Sequence, residues 1–277
     1  MAPPLAASSA NNLQIRIISA LVLAPLALVV VWLGSPYLPV LVAVAAAGMG
    51  WEWARLSGGE WRPPGALMVV TAFAAAAFSG LDHSRLAIIA ALLGSFGVYF
   101  LARLRGWKNP FWPGAGTFYI ALAVAAFLWN AAQPAGTATV FWLLALVWAS
   151  DIAAYAAGRA IGGPKLAPRL SPNKTWAGFF GGLAGAGLVA LATSWLVHAP
   201  VALLLPVSLA LGLAAQAGDL IESLAKRRYG VKDAGQLIPG HGGLLDRLDS
   251  LLAASLALGL LARLAHESPL LWRLAGG

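Results

Sequence analysis

The chain has no cysteine among its 277 residues, which excludes a disulfide scaffold and any thiol-based zinc or redox site. Charge is scarce as well. Asp, Glu, Lys and Arg make up 10% of the residues, where a soluble domain carries about 25%. With 60% hydrophobic residues and a mean hydropathy of +0.79, the chain is neither a water-soluble globular domain nor a disordered segment. The Gly-x4-Gly-Lys-Ser/Thr phosphate loop and the His-Glu-x-x-His zinc helix are both missing. What is present, 12 Trp included, reads as an all-α, polytopic integral membrane helical bundle. The net charge of +8 fits loops biased to one membrane face, and no nucleic-acid partner is expected.

A helix needs about 20 apolar residues to cross the hydrocarbon core. Runs of that size predict nine spans, near 13–33, 36–56, 65–81, 85–104, 115–131, 137–157, 175–197, 201–224 and 245–265. Breakers separate them: Gly34-Ser35-Pro36, Pro63-Pro64-Gly65, Asn109-Pro110, Pro134 and Pro200. No basic segment precedes the run from Ile17 to Leu33, so it is read as a retained first helix. If the N-terminus lies inside, 15 of the 18 Lys and Arg fall on the cytoplasmic side, leaving Arg85, Arg263 and Arg273 outside. The positive-inside rule therefore favours an N-in, C-out arrangement. Residues 1–135 form N-terminal transmembrane helices with a scaffold or dimerisation role. Residues 136–277 form a catalytic region with cytoplasmic loops 158–175 and 224–247.

The ten acids divide into two sets. Glu52, Glu60, Asp82 and Glu267 fall at helix ends or in connectors and are read as solvated. Asp151, Asp219, Glu222, Asp233, Asp246 and Asp249 fall in or beside the last cytoplasmic stretches. A charge at membrane depth is costly, so such residues face an internal cavity and act there. At the end of the eighth span, Asp219, Glu222, Ser223 and Lys226 share one helix face by spacing. Next comes a glycine-rich loop containing Lys232, Asp233 and His241-Gly242-Gly243, whose backbone permits close approach to a phosphate. It leads into a helix N-terminus with Asp246 and Asp249 on one face. Hard carboxylate oxygens without thiol partners suit Mg²⁺. Upstream, Asp151, Arg159, Lys165 and the Ser171-Pro172-Asn173-Lys174-Thr175-Trp176 run read as a phosphate clamp at a helix start. Gly178, Gly181, Gly182 and Gly185 give the small-xxx-small spacing of close helix packing.

These residues resemble a known family. Ser223-x-x-Lys226-Arg227-x4-Lys232-Asp233-x-Gly235-x2-Ile238-Pro239-x-His241-Gly242-Gly243-Leu244-x-Asp246-Arg247-Leu248-Asp249 is similar to the signature of the phosphatidate cytidylyltransferase, or CDP-diacylglycerol synthase, family. The Asp151 and Ser171–Trp176 stretch resembles that family's second shared region, and residues 148–250 carry the likeness. Ala225 and Ala177 depart from it: the first replaces a larger apolar residue, the second Glu or Gln.

The resemblance implies a homodimeric enzyme of the bacterial inner membrane, with its active site at the cytoplasmic face. It would join CTP and phosphatidate to give CDP-diacylglycerol and pyrophosphate. The expected catalytic residues are Asp219, Asp246, Lys226 and His241. Expected at the substrate phosphates are Ser171, Lys174, Thr175, Ser223, Arg227, Lys232, Asp233, Gly242, Gly243 and Arg247. Asp219 and Asp246 would hold Mg²⁺, with Asp249, Glu222 or Asp151 completing the shell or a second site for a cation such as K⁺. One alternative is a CTP-dependent enzyme for another lipid phosphate, such as an archaeal ether lipid. The alternative from a different class is an ion or solute transporter, disfavoured because the first half carries no matching set of charges.

Overall fold

The computed structural model describes residues 6–58 and 62–264. In lipid every backbone N–H and C=O must be satisfied within its own segment, so each apolar run folds as a helix. Nine helices result among the described residues: α1 (Ala6–Leu33), α2 (Tyr37–Leu56), α3 (Pro63–Gly80), α4 (Ser84–Leu104), α5 (Phe111–Ala132), α6 (Gly136–Ala160), α7 (Trp176–Val197), α8 (Val201–Arg228) and α9 (Leu245–Leu264). Proline marks several starts. It stands at the first two positions of α3 and immediately before α2, α5 and α8, where its missing N–H leaves no intrahelical bond unmade.

Seven helices, α2 to α8, are long and apolar enough to cross a membrane, and the chain is an integral membrane helical protein. Nine such spans were expected. Of the two helices outside that set, α9 carries Asp246, Arg247 and Asp249 in its first turns, while the expected first span, 13–33, lies partly outside the described side chains and is apolar over its described part, Leu21–Leu33. Two further departures concern the site. The helix expected to end at 224 runs on through Lys226, Arg227 and Arg228. The segment before α7 is an antiparallel hairpin of β1 (Lys165–Ala167) and β2 (Ser171–Thr175) instead of plain loop.

Helices α2 to α5 pack together, α6 to α9 pack together, and the two groups meet along α5 and α9. The interior is built from small side chains such as Ala46, Ala72, Ala75, Ala91, Ala121 and Ala123, all inaccessible or nearly so. This lets backbones approach where apolar burial alone gives helices no drive to associate in lipid. Large apolar side chains such as Trp32, Phe96 and Trp195 face outward. One core cluster draws on both halves of the chain, from Val31 and Leu38 to Ala225, Leu245 and Leu252.

Successive helices alternate between two ends of the bundle. The α2–α3, α4–α5, α6–α7 and α8–α9 connections share one end, with Arg62, Lys108 and Arg228 around one depression there. At the other end Arg263 lies over the Trp129 ring and 3.4 Å from the Ser84 hydroxyl. Glu60, Glu267, Arg273 and residues 265–277 of the region expected to be catalytic lie outside the described residues, as does the Arg16 side chain.

Candidate active site

The α6–α7 pair sets the first wall. A Cβ on Gly181 would fall 2.4 Å from the Ala157 Cβ, and one on Gly185 2.5 Å from the Ala149 carbonyl oxygen, so the glycine stripe is what lets the two helices touch. Strand β2 then runs straight into α7. The Thr175 hydroxyl caps that helix, accepting from the Gly178 N–H at 3.1 Å, and is buried. Ser171 is half-buried at the start of the strand.

Lys174, next to the cap, crosses to α8, where its ammonium lies 2.6 Å from Asp219. This contact joins the two regions singled out in the sequence. Ser223, one turn on, donates to Asp219 at 3.4 Å. The next turn carries Lys226, whose ammonium donates to Glu222 at 2.6 Å and to Asp246 on α9 at 2.8 Å. Asp246 is nearly buried, its side chain 5% exposed. It also accepts from the Ala234 N–H at 3.0 Å and the Gly243 N–H at 2.9 Å, drawing the glycine-rich loop onto the start of α9. Asp249 lies within electrostatic reach of Asp219 and Glu222, and Asp151 within reach of Asp219 and Lys174.

The remaining expected site residues surround this core. Arg227 is exposed and donates to the Leu170 carbonyl of the hairpin. Lys232 and Asp233 are exposed on the loop. Arg247 donates to the His241 carbonyl at 3.0 Å, and the His241 Nδ1 lies 2.9 Å from the Ser19 hydroxyl on α1. Gly242 sits at φ +88, backbone that a side chain would strain. The Gly243 amide, expected at a substrate phosphate, is engaged by Asp246.

Five carboxylates (Asp151, Asp219, Glu222, Asp246 and Asp249) thus meet two ammonium groups, Lys174 and Lys226. Negative charge is in excess, and the Glu222 Oε1 is buried with no hydrogen-bond partner. Hard oxygens with surplus negative charge fit Mg²⁺ better than a softer metal. Among the described residues, no three His, Asp or Glu side chains are gathered as a ready ligand set. Lys174 and Lys226 stand between the acids.

One expectation is overturned. Glu52 was read as a solvated helix-end residue, yet it is fully buried. Its two oxygens accept from the backbone N–H groups of Leu244 and Leu245, each at 2.9 Å. The signal was available: Trp51-Glu52-Trp53 places an acid inside an apolar run, where the cost of burying charge demands a partner. Asp82, read the same way, is exposed in its turn. Next to Glu52, the Trp53 indole donates to the Pro113 carbonyl at 3.0 Å and meets the Tyr229 ring edge-on. Burial pushes the Tyr229 phenol up to about 12, against a smaller opposing effect of Arg228, so the ring stays neutral there.

Beside the charged cluster lies an apolar cavity of about 610 Å³ between α1, α2, α5, α6 and α9. Leu23, Ala27, Met49, Phe127, Trp148 and Leu251 are among its walls, and Asp151, His241, Arg247 and Ser19 supply its polar lining.

The profile of the cytidylyltransferase family matches residues 14–265. A phosphatidate cytidylyltransferase of Brucella suis is 39% identical over 270 residues, covering 93% of this chain and 96% of the relative. The protein of that name from Pseudomonas aeruginosa is 36% identical over 257 residues, covering 87% and 94%. A third, from Staphylococcus epidermidis, is 46% identical over 119 residues, or 42% of this chain and 46% of the relative.

Proposed function

The chain belongs to the cytidylyltransferase family, and we infer that it makes CDP-diacylglycerol and pyrophosphate from CTP and phosphatidate. The reading rests on relatives that share one activity name over nearly the whole chain. The observation that supports it most directly is the Lys174–Asp219 contact, which unites both motif regions beside a cavity apolar enough for a lipid tail.

An oxygen of the phosphatidate phosphate attacks the α-phosphorus of CTP, the α–β bridging P–O bond breaks, and pyrophosphate leaves. Such transfers depend on positioning and on neutralising charge, with little covalent work for the protein. Lys174, Arg227, Lys232 and Arg247 would offset the charge of the two substrates. Ser171, Thr175, Ser223 and Asp233 belong to the surrounding frame, Thr175 and Ser223 through the contacts described above. A phosphate monoester is largely ionised at neutral pH, its second pKa being about 6, so no general base is required. His241, held by Ser19, orients Arg247 at the lipid end.

Mg²⁺ is part of this reading. Asp219 and Asp246 would hold it, with Asp249, Glu222 or Asp151 completing the shell or a second site for a cation such as K⁺; the excess of carboxylates and the unpartnered Glu222 oxygen support it. When bound, the metal would neutralise charge on the attacking and leaving oxygens. By resemblance the enzyme is a homodimer in the bacterial inner membrane with this end toward the cytoplasm, and the bias of Lys and Arg to this end supports the orientation.

The test is transfer of label from α-labelled CTP into an organic extract by purified protein, with dioleoyl phosphatidate or an ether-lipid phosphate as acceptor, with and without EDTA. Mg²⁺-dependent labelling of phosphatidate is expected. Preference for the ether lipid would change the acceptor, and no transfer to either would refute the reading.

A further inference from the structure

Glu52 is fully buried, and its carboxylate meets the amides of Leu244 and Leu245 from a helix in the other half of the chain. Those amides open α9, where the first N–H groups have no intrahelical partner and the helix dipole is positive. A helix start buried without water needs a resident acceptor, and Glu52 supplies two. The loop backbone closes on the same carboxylate: a Cβ on Gly235 would fall 2.3 Å from the Glu52 Oε1, and one on Gly243 2.9 Å from the Oε2. The Glu52 carboxylate thus explains glycine at 235, while at 243 a Cβ would also meet the Gly235 backbone N at 2.7 Å and the Asp246 Oδ2 at 2.9 Å. Asp246 takes the neighbouring amides of Ala234 and Gly243. Two carboxylates therefore take the amides of Ala234, Gly243, Leu244 and Leu245 between them.

We propose that Glu52 is a positioning residue, which from α2 caps the start of α9 and holds the glycine-rich loop in the one shape that sets Asp246 against Lys226. The part of this proposal that concerns turnover rests on the function inferred above. Glu52 is itself fixed, since the adjacent Trp53 is pinned by the Pro113 carbonyl and Tyr229. A consequence is that the charge of the substrates falls to side chains, above all Lys174, Arg227, Lys232 and Arg247, and not to the α9 N-terminus.

Two variants and two readouts test it. Glu52→Gln keeps the shape but turns an NH₂ donor toward one of the two N–H groups. Glu52→Asp keeps the charge and shortens the reach. Displacing a site by about 1 Å costs on the order of 10²-fold in rate, so the kcat of Glu52→Gln should fall about 10²-fold. Loss confined to the transition state leaves the KM for CTP within about twofold of wild type. Glu52→Asp should recover part of the kcat. Hydrogen exchange, which needs no activity, should speed up in peptides covering 236–248 of Glu52→Gln and nowhere else. Unchanged kcat, a raised KM at normal kcat, or faster exchange throughout would overturn the proposal. So would loss of folded protein in both variants, which would leave Glu52 a purely structural role. An inactive wild type would instead refute the inferred function, and exchange would still decide whether Glu52 holds the loop.

Discussion

Replacing Lys226 with methionine removes the one ammonium that Glu222 and Asp246 share. The three side chains are 15%, 12% and 5% exposed, so the acids left behind cannot recover their solvation from bulk water. Breaking a buried pair by deleting one partner costs about 3–5 kcal/mol. At about 2–4 °C per kcal/mol for a chain of this size class, the midpoint should fall by roughly 6–20 °C. Adding Glu222→Gln removes one of the two stranded charges, while Asp246 keeps its bonds to the Ala234 and Gly243 amides. The double variant should therefore be more stable than the sum of the single effects by about 0.5–3 kcal/mol. The assay is the folded fraction of detergent-solubilised protein after heating, read by size exclusion. Wild-type melting of Lys226→Met, or strict additivity in the double variant, would refute the shared-cation arrangement.

Asp219→Asn preserves shape while removing the charge that faces Lys174. Turnover should fall by about 10²–10³-fold with a normal size-exclusion profile, and near-normal Mg²⁺-dependent activity would remove Asp219 from the metal site. Gly218→Ala places a Cβ 2.6 Å from both the Ala253 Cβ and the Asp249 carbonyl oxygen. That overpacking should cost about 1–3 kcal/mol and spread Asp219 from Asp249, lowering melting point and turnover together. Melting and turnover both at wild-type values would contradict the close packing of α8 on α9.

The helices were legible because runs of apolar residues are punctuated by Gly and Pro, and the span boundaries at Pro36, Pro63 and Pro200 follow from proline chemistry. The tail of α8 was legible only in part: spacing puts Lys226 on the face of Asp219 and Glu222, but Arg227 and Arg228 look like connector, and the contact of Arg227 with the hairpin shows what the longer helix reaches. The hairpin at 165–175 was hidden, since three- and five-residue strands leave little periodicity. Within the site, the common face of Asp219, Glu222 and Lys226 is local and could be read from spacing. The sharing of Lys226 with Asp246, the Lys174–Asp219 contact and the Ser19–His241 bond are long-range pairings that no spacing encodes. Glu52 lies between these cases, because its burial was inferable and its partners were not.

Phosphorus-31 NMR of the purified protein with CTP and phosphatidate tests the central claim most directly. Attack on the α-phosphorus converts the phosphatidate monoester signal into the paired signals of a diphosphate diester, with free pyrophosphate appearing in equal amount. Release of inorganic phosphate and CDP without any lipid diphosphate, or an unchanged phosphatidate signal from folded protein, would contradict it.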